Sequence, residues 1–318
     1  KKYIIILIAL CPLFTLQAQN EQDALRYSQL TFGGTARFNA LSGAFGALGG
    51  DFSTLSTNPA GIGIYRSSEF SFTPALFVSN TTSTFLGQTG EDLKYNFNLG
   101  NMGMVFAIPV NKGTDNKWRG MQFGFGINRQ NNFNYRILAE GFNPDNSLLD
   151  AYLGYAEGIT PSELNPFDTR LAFNTWLLDT VNSNTHYESA VPAGHVTQRK
   201  SLTSDGSQNE FILSLGANYD DRLYLGATLG FPFVRYYESS TYSERDEDGI
   251  IDDFNEFSVQ DELEARGTGF NFKLGMIFRA TDWFRIGAAI HTPTFYQMSE
   301  EYSTRITSNF DNGDAYED

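Results

Sequence analysis

The stretch "GFNFKLGMIF", residues 269–278, places Phe270, Phe272, Leu274, Met276 and Phe278 on one side and Asn271, Lys273 and Gly275 on the other. Successive side chains of an extended strand point to opposite faces, so this reads as a strand with one apolar face and one small or polar face. The pattern recurs through the chain. "SSEFSFTPALFV" (67–78) aligns Phe70, Phe72, Leu76 and Val78. "MQFGFGINR" (121–129) aligns Met121, Phe123, Phe125 and Ile127 against glycines and Asn128. "EFILSLGANY" (210–219) aligns Phe211, Leu213, Leu215, Ala217 and Tyr219, and "RLYLGATLGFPF" (222–233) aligns Leu223, Leu225, Ala227, Leu229, Phe231 and Phe233. "FRIGAAIHT" (284–292) aligns Phe284, Ile286, Ala288 and Ile290. Segment 95–108 also alternates, but its phase slips at Gly100-Asn101, as a β-bulge requires.

A soluble sandwich shares this period, so the connections carry the decision. The links run over 80–93, 111–117, 134–208, 220–221, 239–256 and 280–282, long and short in alternation. In an up-and-down barrel every second link lies at the same end, which puts all long loops on one side, as in outer-membrane barrels. A Greek-key sandwich has no reason to do this. The expected fold is therefore all-β, a transmembrane up-and-down antiparallel β-barrel. Trp118, Tyr135, Tyr236, Tyr237, Trp283 and Tyr296 fall near segment ends and suit interfacial aromatic girdles, although ordinary strand enrichment explains some of them. Glycine on the opposite face fits a narrow interior.

Composition narrows the class. The chain has 318 residues, 19% charged and 15% aromatic, with a net charge of −15 and no cluster of Lys and Arg, which excludes nucleic acid as a partner. Its one cysteine, Cys11, allows no internal disulfide or Cys-based zinc site. "KKYIIILIALCPLFTLQAQ" (1–19) has basic, apolar and small-residue zones in the order of a secretory signal peptide, so residues 1–18 are expected to be cleaved near Ala18. After that point no run approaches the roughly 20 apolar residues of a membrane helix.

Between the leader and the first strand lies "ALGGDFSTLSTNPAGIGIY" (47–65). A phosphate loop would need G-x-G-x-x-G between a strand and a helix, and the spacing of Gly43, Gly46, Gly49 and Gly50 is wrong. A flexible linker would not carry Phe38, Phe45, Phe52 and Leu55, which want burial. Segment 19–66 is therefore expected to fold against the strands of 67–318, with the barrel lumen as its natural place. Gly49, Gly50, Asn58, Pro59 and Ala60 are the candidate residues. Asn-Pro-Ala can fix a bend in the lumen, or simply set the turn into the first strand.

"NALSGAFGALGGDFSTLSTNPAGIGIYRSSEFSFTPALF" (39–77) resembles the opening of the FadL family, outer-membrane transporters of long-chain fatty acids and other hydrophobic compounds. "GTGFNFKLGMIFRATDWFRIGAAIHTPTFY" (267–296) resembles that family's recurring hairpin: a glycine-alternating strand, a short turn, Arg-x-Gly and a Thr-Pro step. The resemblance implies a barrel of fourteen strands with an N-terminal hatch, a hydrophobic ligand, contact with outer-membrane lipid and a lateral opening in the wall. It also implies the outer membrane of a Gram-negative bacterium. Two features depart from it. The link 134–208 is very long and holds Phe167, Phe173 and Trp176, candidates for an outer ligand surface or a lid. Seven strands are clear, with an eighth near Tyr302, and the polar end "SNFDNGDAYED" (308–318) suggests that further strands are missing.

Other constellations are weaker. "ERDEDGIIDD" (244–253) sets Glu244, Asp246, Asp248 and Asp252 near a calcium-loop pattern, but begins on Glu and ends on Asn255 rather than a bidentate Glu. A solvated acidic loop is the plain alternative. His186 and His195 share the long link and leave a haem receptor as a minor alternative; His291 has no serine tied to it. No nucleophile elbow or zinc-protease motif is present, so neither an enzyme nor a cofactor is expected. Transport by hatch-gated diffusion stands beside a second reading, a barrel of the same family that holds a protein partner at its outer face or serves as a surface-structural protein.

Overall fold

The computed structural model describes residues 21–31, 33–110, 116–192 and 194–318. Cys11, the signal segment 1–18 and the cleavage point lie outside the described residues. Helix α1 (Glu21–Ser28) belongs to a separate N-terminal unit, and residues 32–318 form the second.

The second unit is built on one antiparallel sheet: β1 (Glu69–Phe85), β2 (Gln88–Pro109), β3 (Trp118–Asn132), β4 (Tyr135–Asn143), β7 (Val196–Tyr219), β8 (Leu223–Arg245), β9 (Phe254–Arg279), β10 (Arg285–His291), β11 (Phe295–Phe310) and β12 (Ala315–Glu317). β5 (Leu178–Thr180) and β6 (Tyr187–Ser189) form a separate hairpin. β3 and β4 both pair with β7, and β10 and β11 both pair with β9, so each couple is one long span broken by a kink. Phe133-Asn134 interrupts the first, and Thr292-Pro293-Thr294 interrupts the second, where proline offers no N–H to the ladder. The strand expected near Tyr302 is thus the continuation of the seventh span, not an eighth. The phase slip expected at Gly100 is present: Thr73 pairs with Asn101 and Pro74 with Leu99, leaving Gly100 as the extra residue.

The expected long links at 80–93 and 239–256 are corrected by the structure. β1 and β2 continue to a tight turn at Leu86-Gly87, and β8 and β9 extend to Arg245 and from Phe254. What lengthens at that end is mostly strand. Link 134–208 likewise shrinks to residues 144–195, which form a small cap of α-helix, 3-10 helix and the β5–β6 hairpin.

The two sheet faces differ sharply. On one, cross-strand rows are apolar: Phe72, Met102, Ile127, Phe211 and Phe231 stand in register, continued by Phe270 and Phe295. Further rows run Phe106–Phe123–Leu215–Ala227–Leu274–Ile290 and Ile108–Met121–Ala217–Leu225–Met276–Ala288. Nearly all the large side chains in these rows are exposed. The other face is covered by residues 46–65 and, at its far end, by the cap. The sheet does not close on itself: β1 stands at one edge and β11 with β12 at the other.

Candidate functional site

The covered face is a lane of glycines. Gly216, Gly226 and Gly275 are register neighbours on β7, β8 and β9, flanked by Gln122 and Ala289. A Cβ added at any of Gly103, Gly126, Gly124, Gly216, Gly226, Gly275 or Gly287 would lie within 3.0 Å of an atom of Gly46, Phe52, Asn58, Pro59 or Ile62. The absent side chains are the seat of the segment, since a strand glycine lets another backbone approach closely.

Within the segment, two short 3-10 helices are pinned by their own caps. Asp51 starts the first (Phe52–Ser56), accepting Ser53 N–H at 2.9 Å and the Thr35 hydroxyl at 2.6 Å. Asn58 starts the second (Pro59–Ile64), accepting Ala60 N–H at 3.1 Å through Oδ1. Its Nδ2 donates to Gly46 O at 2.6 Å and to Met276 O at 3.4 Å, tying the segment to itself and to β9. Pro59 suits the first helical position because no N–H is needed there. Gly49 and Gly50 have φ of +60° and +67°, and Gly50 N–H closes on Gly61 O at 3.0 Å. The structure thus gathers Gly49, Gly50, Asn58, Pro59 and Ala60 at one place, as a packed turn against the sheet.

Sequence reading missed the wall residues that receive this turn. Asn101 Nδ2 donates to Ser53 Oγ at 3.0 Å, Asn128 Nδ2 to Ser56 Oγ at 2.9 Å, and Gln122 Nε2 to Tyr65 O at 3.0 Å. Their signal was available, because each is a carboxamide on the glycine side of an alternating strand. His291 Nε2 sits 2.8 Å from Thr57 O and so joins this contact. Beside the lane Lys273 Nζ meets both oxygens of Glu210 at 2.5 Å, and Asn271 Nδ2 donates to the same carboxylate at 2.9 Å. Both charges are buried, which pairing and hydrogen bonding make tolerable.

The outer candidates are dispersed. Glu244, fully buried, accepts from Ser147 Oγ (2.5 Å), Leu148 N (2.8 Å), Gln198 Nε2 (3.0 Å) and Tyr242 OH (2.6 Å). It thereby caps helix α2 (Leu148–Ala156), whose positive N-terminus favours an anion. Asp246 accepts Gly249 N–H and Ile251 N–H to shape a turn, while Asp248 and Asp252 face solvent. Among the described residues no three His, Cys, Asp or Glu side chains are placed to hold a metal ion. Phe173 packs inward against Tyr187, whereas exposed Phe167 and Trp176 lie against Tyr302 and Tyr316 at the last strands. His186 pairs with Glu157 at 2.5 Å, and His195 stands edge-on to Phe142.

Burial raises the phenol pKa of Tyr152 and Tyr242 well above the ordinary tyrosine value, with Asp168 adding to the first and Glu244 to the second. No protein-family profile, no curated protein and no solved structure matches this chain.

Proposed function

We propose that the chain forms part of an outer-membrane β-barrel that passes hydrophobic small molecules, the class implied by its resemblance to the FadL family. The observation that carries the membrane assignment is the height of the apolar rows. On β7 they span Phe211 to Tyr219, nine residues, and a tilted transmembrane strand needs about 9–11. An exposed apolar band of this extent is hard to reconcile with water on that face.

Transport needs a path as well as a membrane. Residues 46–65 seated across the glycine lane act as the hatch, sealing the interior to water. A lateral way out suits an apolar ligand, which avoids transfer through water. The seam between β2 and β4 supplies it: beyond the Gly100 bulge β2 pairs only with β1, and β4 pairs only with β7. The gap is crossed by side chains of β1, the hairpin partner of β2, Thr81 Oγ1 donating to Arg136 O of β4 at 2.5 Å and Ser83 Oγ to Leu138 O. Such bonds separate at less cost than a backbone ladder. The runner-up, a barrel holding a protein partner, draws on exposed Phe167 and Trp176 of the cap.

The test is labelled oleate uptake by the complete reading frame in a Gram-negative strain lacking its own fatty-acid transporter, with surface proteolysis confirming assembly. Uptake that changes on replacing Asn58 or Pro59 supports the hatch. An assembled protein with no uptake of any apolar probe, yet with a stable complex in pull-downs, overturns transport in favour of the partner reading.

A further inference from the structure

The bare apolar rows end, on the cap side, at two arginines. Arg235 on β8 and Arg266 on β9 are register partners on the bare face, and both are exposed. Like charges directly opposite one another across a sheet repel. Arg266 spends Nε on Glu264 Oε1 at 2.6 Å and Nη2 on the same oxygen, leaving Nη1 free to turn outward. Among the described residues, no carboxylate lies within ion-pair distance of Arg235. In a chain of net charge −15, a juxtaposed cation pair with one member unanswered calls for an anion.

The wall is notched at this point. Register between β8 and β9 lapses between Gly230 and Phe233, where Pro232 has no N–H to give. The notch has a volume of about 530 Å³ and is lined by Phe233, Arg235, Arg266, Thr268, Gln297 and Ser299. Below it toward the apolar rows stand Phe233 and then Phe231, Phe270 and Phe295, with Phe231 and Phe270 rings 5.6 Å apart. Two guanidinium groups, two hydroxyls and a carboxamide thus sit directly above an aromatic surface.

We infer that this notch seats the phosphate of an anionic lipid headgroup, with Arg235 and Arg266 clamping it and the acyl chains lying down over Phe233, Phe231 and Phe270. Guanidinium forks match phosphate oxygens and gain from charge-assisted hydrogen bonds. The phosphate also relieves the Arg–Arg repulsion. A free anion would satisfy the arginines but make no use of the contiguous aromatic surface, which favours a lipid as the source. The site rests on the membrane reading and is independent of what the protein transports.

The probe is dioctanoyl phosphatidate added to the full chain in zwitterionic detergent, with retention read by native mass spectrometry and dioctanoylglycerol as the uncharged control. One phosphatidate is expected to be retained in preference to the control. Its affinity should fall about tenfold or more in the Arg235→Gln, Arg266→Gln double variant, whose changes touch only exposed side chains. Equal retention by wild type and variant overturns the site. Inorganic phosphate that binds as tightly as phosphatidate overturns the lipid source. Quenching of tryptophan fluorescence by brominated-acyl phosphatidylcholine reports insertion of the apolar rows separately. Quenching without phosphatidate preference removes this site alone, whereas no quenching removes both it and the membrane reading.

Discussion

The two ends of strand β9 obey opposite rules. From Phe270 to Phe278 the even-numbered residues, all apolar, face the bare side, while Asn271 and Lys273 are covered. From Phe257 to Arg266 the even-numbered residues Ser258, Gln260, Glu262, Glu264 and Arg266 face the bare side, and Phe257, Val259 and Ala265 are covered. No register shift with β8 separates the halves other than the lapse at Pro232. One strand therefore changes its preferred surroundings along its length without changing which side chain points where. The upper half packs like a soluble protein: Phe254, Phe257 and Val259, with Ile306 of neighbouring β11, share a core with Leu149, Tyr152 and Leu178 of the cap. The lower half is inverted. The membrane proposal accounts for the inversion as a change of solvent, from water to hydrocarbon, near Thr268.

The strongest way to break this comparison is to place a charge on each half. Leu274→Arg on the bare face of the lower half should cost about 2–4 kcal/mol, the range for a cationic residue near a bilayer midplane. Glu262→Arg in the upper half should stay within about 0.5 kcal/mol, as surface changes usually do. Reversible urea unfolding from lipid vesicles measures both, and equal costs would end the two-solvent account.

A second substitution sharpens the contrast on the covered side. Gly275→Val drives a side chain into the Asn58 carboxamide, the Pro59 ring and the Ala60 backbone N, the last of which cannot step aside. Overpacking of this kind typically costs about 1–3 kcal/mol. Segment 46–65 should then become open to protease while the cap stays protected. Unchanged protection of the segment would mean that the glycine lane is not its seat.

The smallest effect is on pH. The raised pKa of Tyr152 in the cap and of Tyr242, which packs against it from β8, means that the folded protein holds these protons after the unfolded chain has released them. Their contribution is complete below about pH 10, the ordinary tyrosine pKa, and declines above it. Protease resistance of residues 144–195 should accordingly be flat from pH 8 to about 9.5 and fall beyond about pH 10. The inverted half has no such dependence to show through these groups.

The lower half was legible in the sequence because the alternation of apolar with small or polar residues is strict there: "GFNFKLGMIF" declares its faces residue by residue. The upper extensions were not. In "ESSTYSER" (238–245) polar residues occupy both faces, since one is in water and the other meets the cap through polar contacts such as Glu244. Strand β4 hid for a different reason, Phe133-Asn134 interrupting the alternation just before it. For the candidate site, Asn58 and Pro59 were visible as a local bend. Their partners were not, because Met276 is 218 residues away from Asn58 and nothing local marks that meeting.

That distance sets an order of assembly. The segment made first finds its seat only when β7, β8 and β9 lie side by side, since no single strand carries more than a part of the lane. Contacts at such separation form late and slowly. Until then Phe45, Phe52 and Ile62, all buried in the end, remain in the open. The glycine lane therefore works as a checkpoint in time. A sheet misaligned by one residue turns its glycines to the wrong face and leaves the waiting segment unseated.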